Sequence, residues 1–155
     1  MTRSTTRSVG HVAARAIVSG LIVTSGFASA VAAYADDTPS PCAALKRIVS
    51  AAPQGFETLG PNDGRAVAQP YGSDASCTGS HDTYECQWSP NPGAGSVADA
   101  LQAVAADIAS CLPAATHDQN TPGLQHFYIG PKGSRTEISA TTAGGTKLKI
   151  IVSGK

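Results

Sequence analysis

Four cysteines, Cys42, Cys77, Cys86 and Cys111, constrain this chain more than any other feature. An even number of cysteines in an exported chain reads as a disulfide framework, and four allow three pairings. Zinc, the competing reading, wants C-x-x-C pairs or Cys-His clusters at ligand spacing, and neither occurs. Geometry chooses among the pairings. Cys77 and Cys86 flank a turn-rich run and face each other if that run is a hairpin. Cys42 opens one helical pattern and Cys111 closes another, so antiparallel helices would bring them together. The expected bridges are Cys77–Cys86 and Cys42–Cys111. The uncertain point in the geometry is Cys86, which shares a strand face with Tyr84 and Trp88. Were Cys77 to lie elsewhere, Cys86 would pair with a helix cysteine instead.

The N-terminus supports an oxidising destination. Arg3, Arg7 and Arg15 precede any acidic residue, an apolar stretch runs from Ala16 to Phe27, and small residues follow to Ala35. That order is a secretory signal peptide over residues 1–35, with Ala33-Tyr34-Ala35 as the preferred cleavage site and Ala28-Ser29-Ala30 as the second choice. A spanning anchor needs about 20 mainly apolar residues, which this stretch does not supply. Residues 36–41 read as a mobile, Pro-rich strip, and 42–155 as one α+β domain.

Past Ala35 the chain has eight basic and eleven acidic residues, a balance of −3. From Asp36 to Gly130 the balance is −7, and from Pro131 to Lys155 it is +4. An acidic body argues against nucleic-acid binding. Lys132, Arg135, Lys147 and Lys149 form a candidate patch for an anionic partner. The plainer reading is lysine-bearing strand edges that discourage aggregation.

Local patterns set out the elements. Ser40-Pro41 opens a helix to about Ala52, with Cys42, Leu45, Ile48, Val49 and Ala52 on one face. Phe56 to Leu59 suggests a short strand, and Gly60 to Gly64 a turn. Ala66-Val67-Ala68 suits an edge strand ended by Pro70. Ala75 to Cys77 and Thr83 to Trp88 form a hairpin, with Tyr84, Cys86 and Trp88 on one face. Ser96 caps the strongest helix, which reaches about Leu112 and carries a stripe of Val97, Leu101, Val104, Ile108 and Cys111. Ala114 to Gly123 reads as a polar loop. Leu124–Ile129, Arg135–Thr142 and Thr146–Ser153 read as strands. The expected fold is a two-layer α+β sandwich: an antiparallel sheet of about five or six strands with two helices on one face.

Catalytic signals are weak. No G-x-S-x-G, H-E-x-x-H, C-x-x-C or phosphate-loop motif occurs, and Gly130-Pro131-Lys132-Gly133-Ser134 is better read as a turn. His81, Asp82, Glu85, His117, Asp118 and His126 are metal-capable types, but their placement in turns and strands suits surface histidines. No metal and no cofactor is expected. Tyr84 and Trp88 could line an aromatic groove, although core is the simpler role for the only tryptophan. The layout resembles, in architecture alone, small exported bacterial domains such as periplasmic inhibitors, immunity proteins and sensor modules, and architecture does not confer function. The expectation is a non-enzymatic binding module of the bacterial envelope. Its partner would be a protein or small ligand outside the cytoplasm, with no nucleic acid and no stable membrane anchor. The alternative is a small secreted hydrolase with a site assembled around His81, Glu85 or His126. A histidine within about 3 Å of a Ser, Asp or Glu in a cleft is the observation that separates the two.

Overall fold

The computed structural model describes residues 39–154. The expected signal peptide (1–35), the first half of the strip that follows it and the terminal Lys155 lie outside the described residues. Ser40 accepts a hydrogen bond from the Ala43 N–H at 3.3 Å and Pro41 occupies the first turn, so α1 (Pro41–Ala51) starts where its cap dictates. A 3₁₀ turn, Ala52–Gln54, ends it.

The segment expected as a strand, Phe56–Leu59, is a tight turn. Gly55 and Phe56 both take left-handed φ values, 73° and 60°, and Leu59 N–H bonds back to Phe56 O at 3.0 Å. Phe56 is 2 % exposed and packs against Tyr84, with ring centroids 6.3 Å apart. Its burial, not a ladder, places this segment. The expected turn and edge strand that follow are instead a second helix, α2 (Pro61–Ala68). Pro61 lies in its first turn, and the Asp63 carboxylate accepts from Gly60 N–H at 2.8 Å. Those are start signals.

The sheet has six strands: β1 (Gly72–Gly79), β2 (Thr83–Pro90), β3 (Thr116–Thr121), β4 (Leu124–Ile129), β5 (Thr136–Ala143) and β6 (Lys147–Ser153). Their order is β1-β2-β6-β5-β4-β3, and every neighbouring pair is antiparallel. The expected polar loop over 114–123 is therefore in part an edge strand, β3. It was hidden because all six of its residues are exposed, so no apolar alternation marks it. Between β2 and β3 runs α3 (Val97–Cys111), capped by a reciprocal Ser96/Asp99 pair as expected.

One face of the sheet is buried. Tyr84, Cys86 and Trp88 of β2 line up with Val152, Ile150 and Leu148 of β6, and these with Ile138 and Ala140 of β5. Phe127 and Gln125 of β4 continue the rows. On this face α2 packs on β1 and β2, α3 on β4, β5 and β6, and α1 on α2 and α3. Among the described residues the fold is an α+β sandwich with three helices where two were expected.

Both expected disulfides are present. Cys77 and Cys86 are direct partners across the β1–β2 hairpin. Cys42 and Cys111 join the start of α1 to the end of α3, with Cα atoms 5.3 Å apart. Among the described residues no helix is long and apolar enough to cross a membrane.

Candidate functional site

The open face of the sheet carries most of the residues singled out as catalytic candidates, and the structure keeps them apart. Glu85 faces Ile151, Ile151 faces Ser139, and Ser139 faces His126. Three strand spacings, about 14 Å, separate Glu85 from His126. Glu85 is instead paired with Lys149 Nζ at 2.8 Å. His81 sits in the β1–β2 turn, its side chain 82 % exposed, with Nδ1 3.0 Å from Asp82. That contact raises its pKa above the ordinary value. His126 lies 2.6 Å from Asp118 through Nδ1. This hydrogen bond is the main reason the Asp118 carboxyl is held below its usual range. Among the described residues, no three His, Cys, Asp or Glu side chains gather as metal ligands would.

The basic residues do not form one patch. Arg135 lies at the β4–β5 end of the sheet, its guanidinium 3.8 Å over the Tyr128 ring, with Lys132 in the adjoining turn. Lys147 pairs with Ala143 at the far end of β5. Eight residue steps, roughly 27 Å, separate Arg135 from Ala143, and Lys149, opposite Thr141, lies two steps nearer. The antiparallel meander puts the two groups at opposite ends because the β4–β5 and β5–β6 turns close opposite ends of β5.

Tyr84 and Trp88 are core residues, each 1 % exposed, so they line no surface groove. The Tyr84 hydroxyl donates to Gly60 O at 2.6 Å and accepts from Gly64 N–H at 2.8 Å, which pins α2 to the sheet. The Trp88 indole N–H is buried with no partner among the described residues.

A groove does exist, and another aromatic residue marks it. It has a volume of about 290 Å³ and opens between α1, α3 and the segment linking α2 to β1. Leu45, Val67, Val104 and Ile108 supply its apolar surface, with the Cys42–Cys111 bridge as part of the wall. At the rim stands Tyr71, which tilts against Trp88 with centroids 6.5 Å apart and donates its hydroxyl to Asp107 of α3. Burial, first, and then the Asp107 hydrogen bond raise the Tyr71 pKa well above the ordinary phenol value. In this pair the hydroxyl donates and the Asp107 carboxylate accepts. Ser40 and Ser110 add hydroxyls.

The Cys42–Cys111 bridge and the helix faces bearing Leu45, Val104 and Ile108 were expected from the sequence, but as core; the groove they line, and Tyr71 and Asp107 at its rim, were not. The signal for Asp107 was its position. It lies three residues after Val104 and four before Cys111, on the flank of the apolar stripe, where a carboxylate borders whatever the stripe covers. Tyr71 follows Pro70 in a segment with no period to read.

Comparison with known proteins finds no family model, no curated protein and no solved structure that matches the chain.

Proposed function

We propose that this chain is an exported, non-enzymatic binding module of the bacterial envelope, and that its site is the groove between α1 and α3. The groove itself carries the reading. Ligand sites are concave, mostly apolar and furnished with few polar groups, typically over about 300–1,000 Å³. This one, at about 290 Å³, lies just under that range, and its few polar groups are the Tyr71–Asp107 pair and the Ser40 and Ser110 hydroxyls. The disulfides suit an oxidising compartment, and the N-terminal leader suits export.

The test uses N-phenylnaphthylamine, an apolar dye that brightens when it leaves water. Its titration into the exported protein should saturate at one site. Ser110→Trp, which adds bulk at the rim without altering the core, should abolish that signal. Non-saturating fluorescence, or saturation indifferent to Ser110→Trp, would leave the groove without a role.

One observation favours the hydrolase reading. Asp118, His126 and Ser139 lie on three adjacent strands of the open face, and His126 Nδ1 is held by Asp118. In such a row His126 Nε2 would take the Ser139 hydroxyl proton as Oγ adds to an ester carbonyl, and would return it to the departing alcohol. Among the described residues no hydrogen bond joins Ser139 to His126, and the row lies on an open sheet face. A fluorophosphonate probe that labels Ser139, and loses it in His126→Ala, would establish this reading over the first.

A further inference from the structure

Given the groove reading above, we infer that the ligand is a small amphipathic amine, with a compact apolar body and a protonated amino head seated on Asp107. The body follows from the lining. Leu45, Val67, Val104 and Ile108 offer carbon surface, and burying matching surface is the main driving force available. The head follows from what the rim can and cannot give. Among the described residues Asp107 is the one acidic or basic residue in the lining. The strongest donor there, the Tyr71 hydroxyl, is already committed to Asp107. An ionised carboxylate has about four lone-pair sites, so this donation leaves acceptor capacity on the same group. The Ser40 and Ser110 hydroxyls can accept as well as donate.

The rim is thus negative, with acceptors on Asp107 and on both serine hydroxyls and, among the described residues, no cation. An ammonium head supplies up to three donors and the opposite charge, and charge-assisted hydrogen bonds are the stronger class. A carboxylate or phosphate head would meet Asp107 as a like charge and, among the described residues, find no cation in the lining. The wider field agrees, since the stretch from Asp36 to Gly130 that builds the groove carries a balance of −7. The basic residue nearest in sequence on α1 is Lys46, which is exposed and outside the lining, and Arg47 beside it is paired with Asp63 at 3.2 Å.

Three isosteric probes test the head group: naphthylmethylamine, naphthylmethanol and naphthylacetate. Each is titrated calorimetrically into the exported protein at neutral pH and low salt. The amine should bind about tenfold more tightly than the alcohol, and the carboxylate most weakly. Added salt should narrow the gap between amine and alcohol. Asp107→Asn should bring the amine down to the level of the alcohol while the alcohol itself changes little. Tyr71→Phe should keep the preference for the amine, because the charge remains. Equal binding of amine and alcohol by the unmodified protein, or tightest binding of the carboxylate, overturns the amine assignment and leaves the groove standing. Failure of all three probes to bind overturns the groove reading itself, and the assignment with it.

Discussion

At one edge of the sheet β1 is crosslinked to β2 and lies beneath α2; at the other, β3 exposes every side chain and is attached to β4 by polar groups. The first edge is tight. A side chain at Gly64 of α2 would run into the sulfurs of both Cys77 and Cys86, so only glycine lets the helix settle on the bridge. The second edge is built around Gln125, which is 0 % exposed. Its Nε2 donates to Asn120 Oδ1 at 2.9 Å and to Thr121 O at 2.7 Å. Its Oε1 can only accept, so the His117 Nε2 2.9 Å away must carry the proton. The His117 ring then stacks on Phe127, with centroids 4.0 Å apart. Both edge strands are bulged, β1 between Ser73 and Ser76 and β3 between His117 and Gln119, a device that discourages pairing with other chains. The contrast teaches that a strand need not bury an apolar face to be held. A satisfied amide network can do it, provided every member finds its partner.

The largest expected effect comes from the bridge that spans both halves. Cys42–Cys111 ties α1, which packs on α2, to α3, which covers β4 to β6. Its sequence separation is 69. On the chain-entropy model, replacing both cysteines by serine should cost about 4 kcal/mol, read from urea unfolding. The hairpin bridge, with a separation of 9, should cost about 3 kcal/mol. Equal losses would mean that loop length is not what these bridges act through.

Gly64→Ala sharpens the account of the tight edge. Overpacking against the sulfurs should cost about 3 kcal/mol. In a Cys77→Ala/Cys86→Ala background the sulfurs are gone and only the Tyr84 ring, 2.9 Å from the added carbon, still crowds it, so the penalty should shrink to about 1 kcal/mol, offset in part by the better helix former. An undiminished penalty would place the strain elsewhere in α2.

The polar edge breaks at Gln125. Gln125→Leu keeps the bulk but strands the groups on His117, Asn120 and Thr121. The expected loss is about 2 kcal/mol, with amide exchange rising in β3 and unchanged in β1. Matching increases at both edges would show that the sheet opens as one unit and erase the distinction.

These contrasts explain what could be read from the chain. Tyr84, Cys86 and Trp88 alternate, α3 has a capping box and an apolar stripe, and both bridges followed from placing those elements. Each of these is a local pattern that tertiary packing reinforces. The missed elements have tertiary causes. α2 is eight residues long with a glycine in its interior, a poor helix by propensity, and that glycine is there for the sulfurs of another element. β3 is polar throughout because its partners are amides. Phe56 is driven by burial into a left-handed turn. The groove joins Tyr71 and Asp107 across 36 positions, and no period links them.

The smallest effect concerns the open face at the polar edge, where Asp118 meets His126. Asp118 is held below the ordinary carboxylate value of 3.8, first by the His126 hydrogen bond and only then by charge, with Arg135 a minor contributor. A carboxyl depressed in the folded state stabilises it above the unfolded pKa, and the contribution disappears as pH falls through the folded value. The side chain is 42 % exposed, so solvent screens the pair and the effect is small. Asp118→Asn should therefore lower stability slightly near pH 5, and the difference from the parent should vanish as the pH drops well below 3.8. Comparing the two proteins cancels the other carboxylates, including Asp99, whose pKa is lowered by Ser96. Amide exchange should localise the loss to β3 and β4. A difference that persists undiminished into acid would show that Asp118 acts through packing or turn geometry. In that case Gln125 would hold the polar edge without help from the open face.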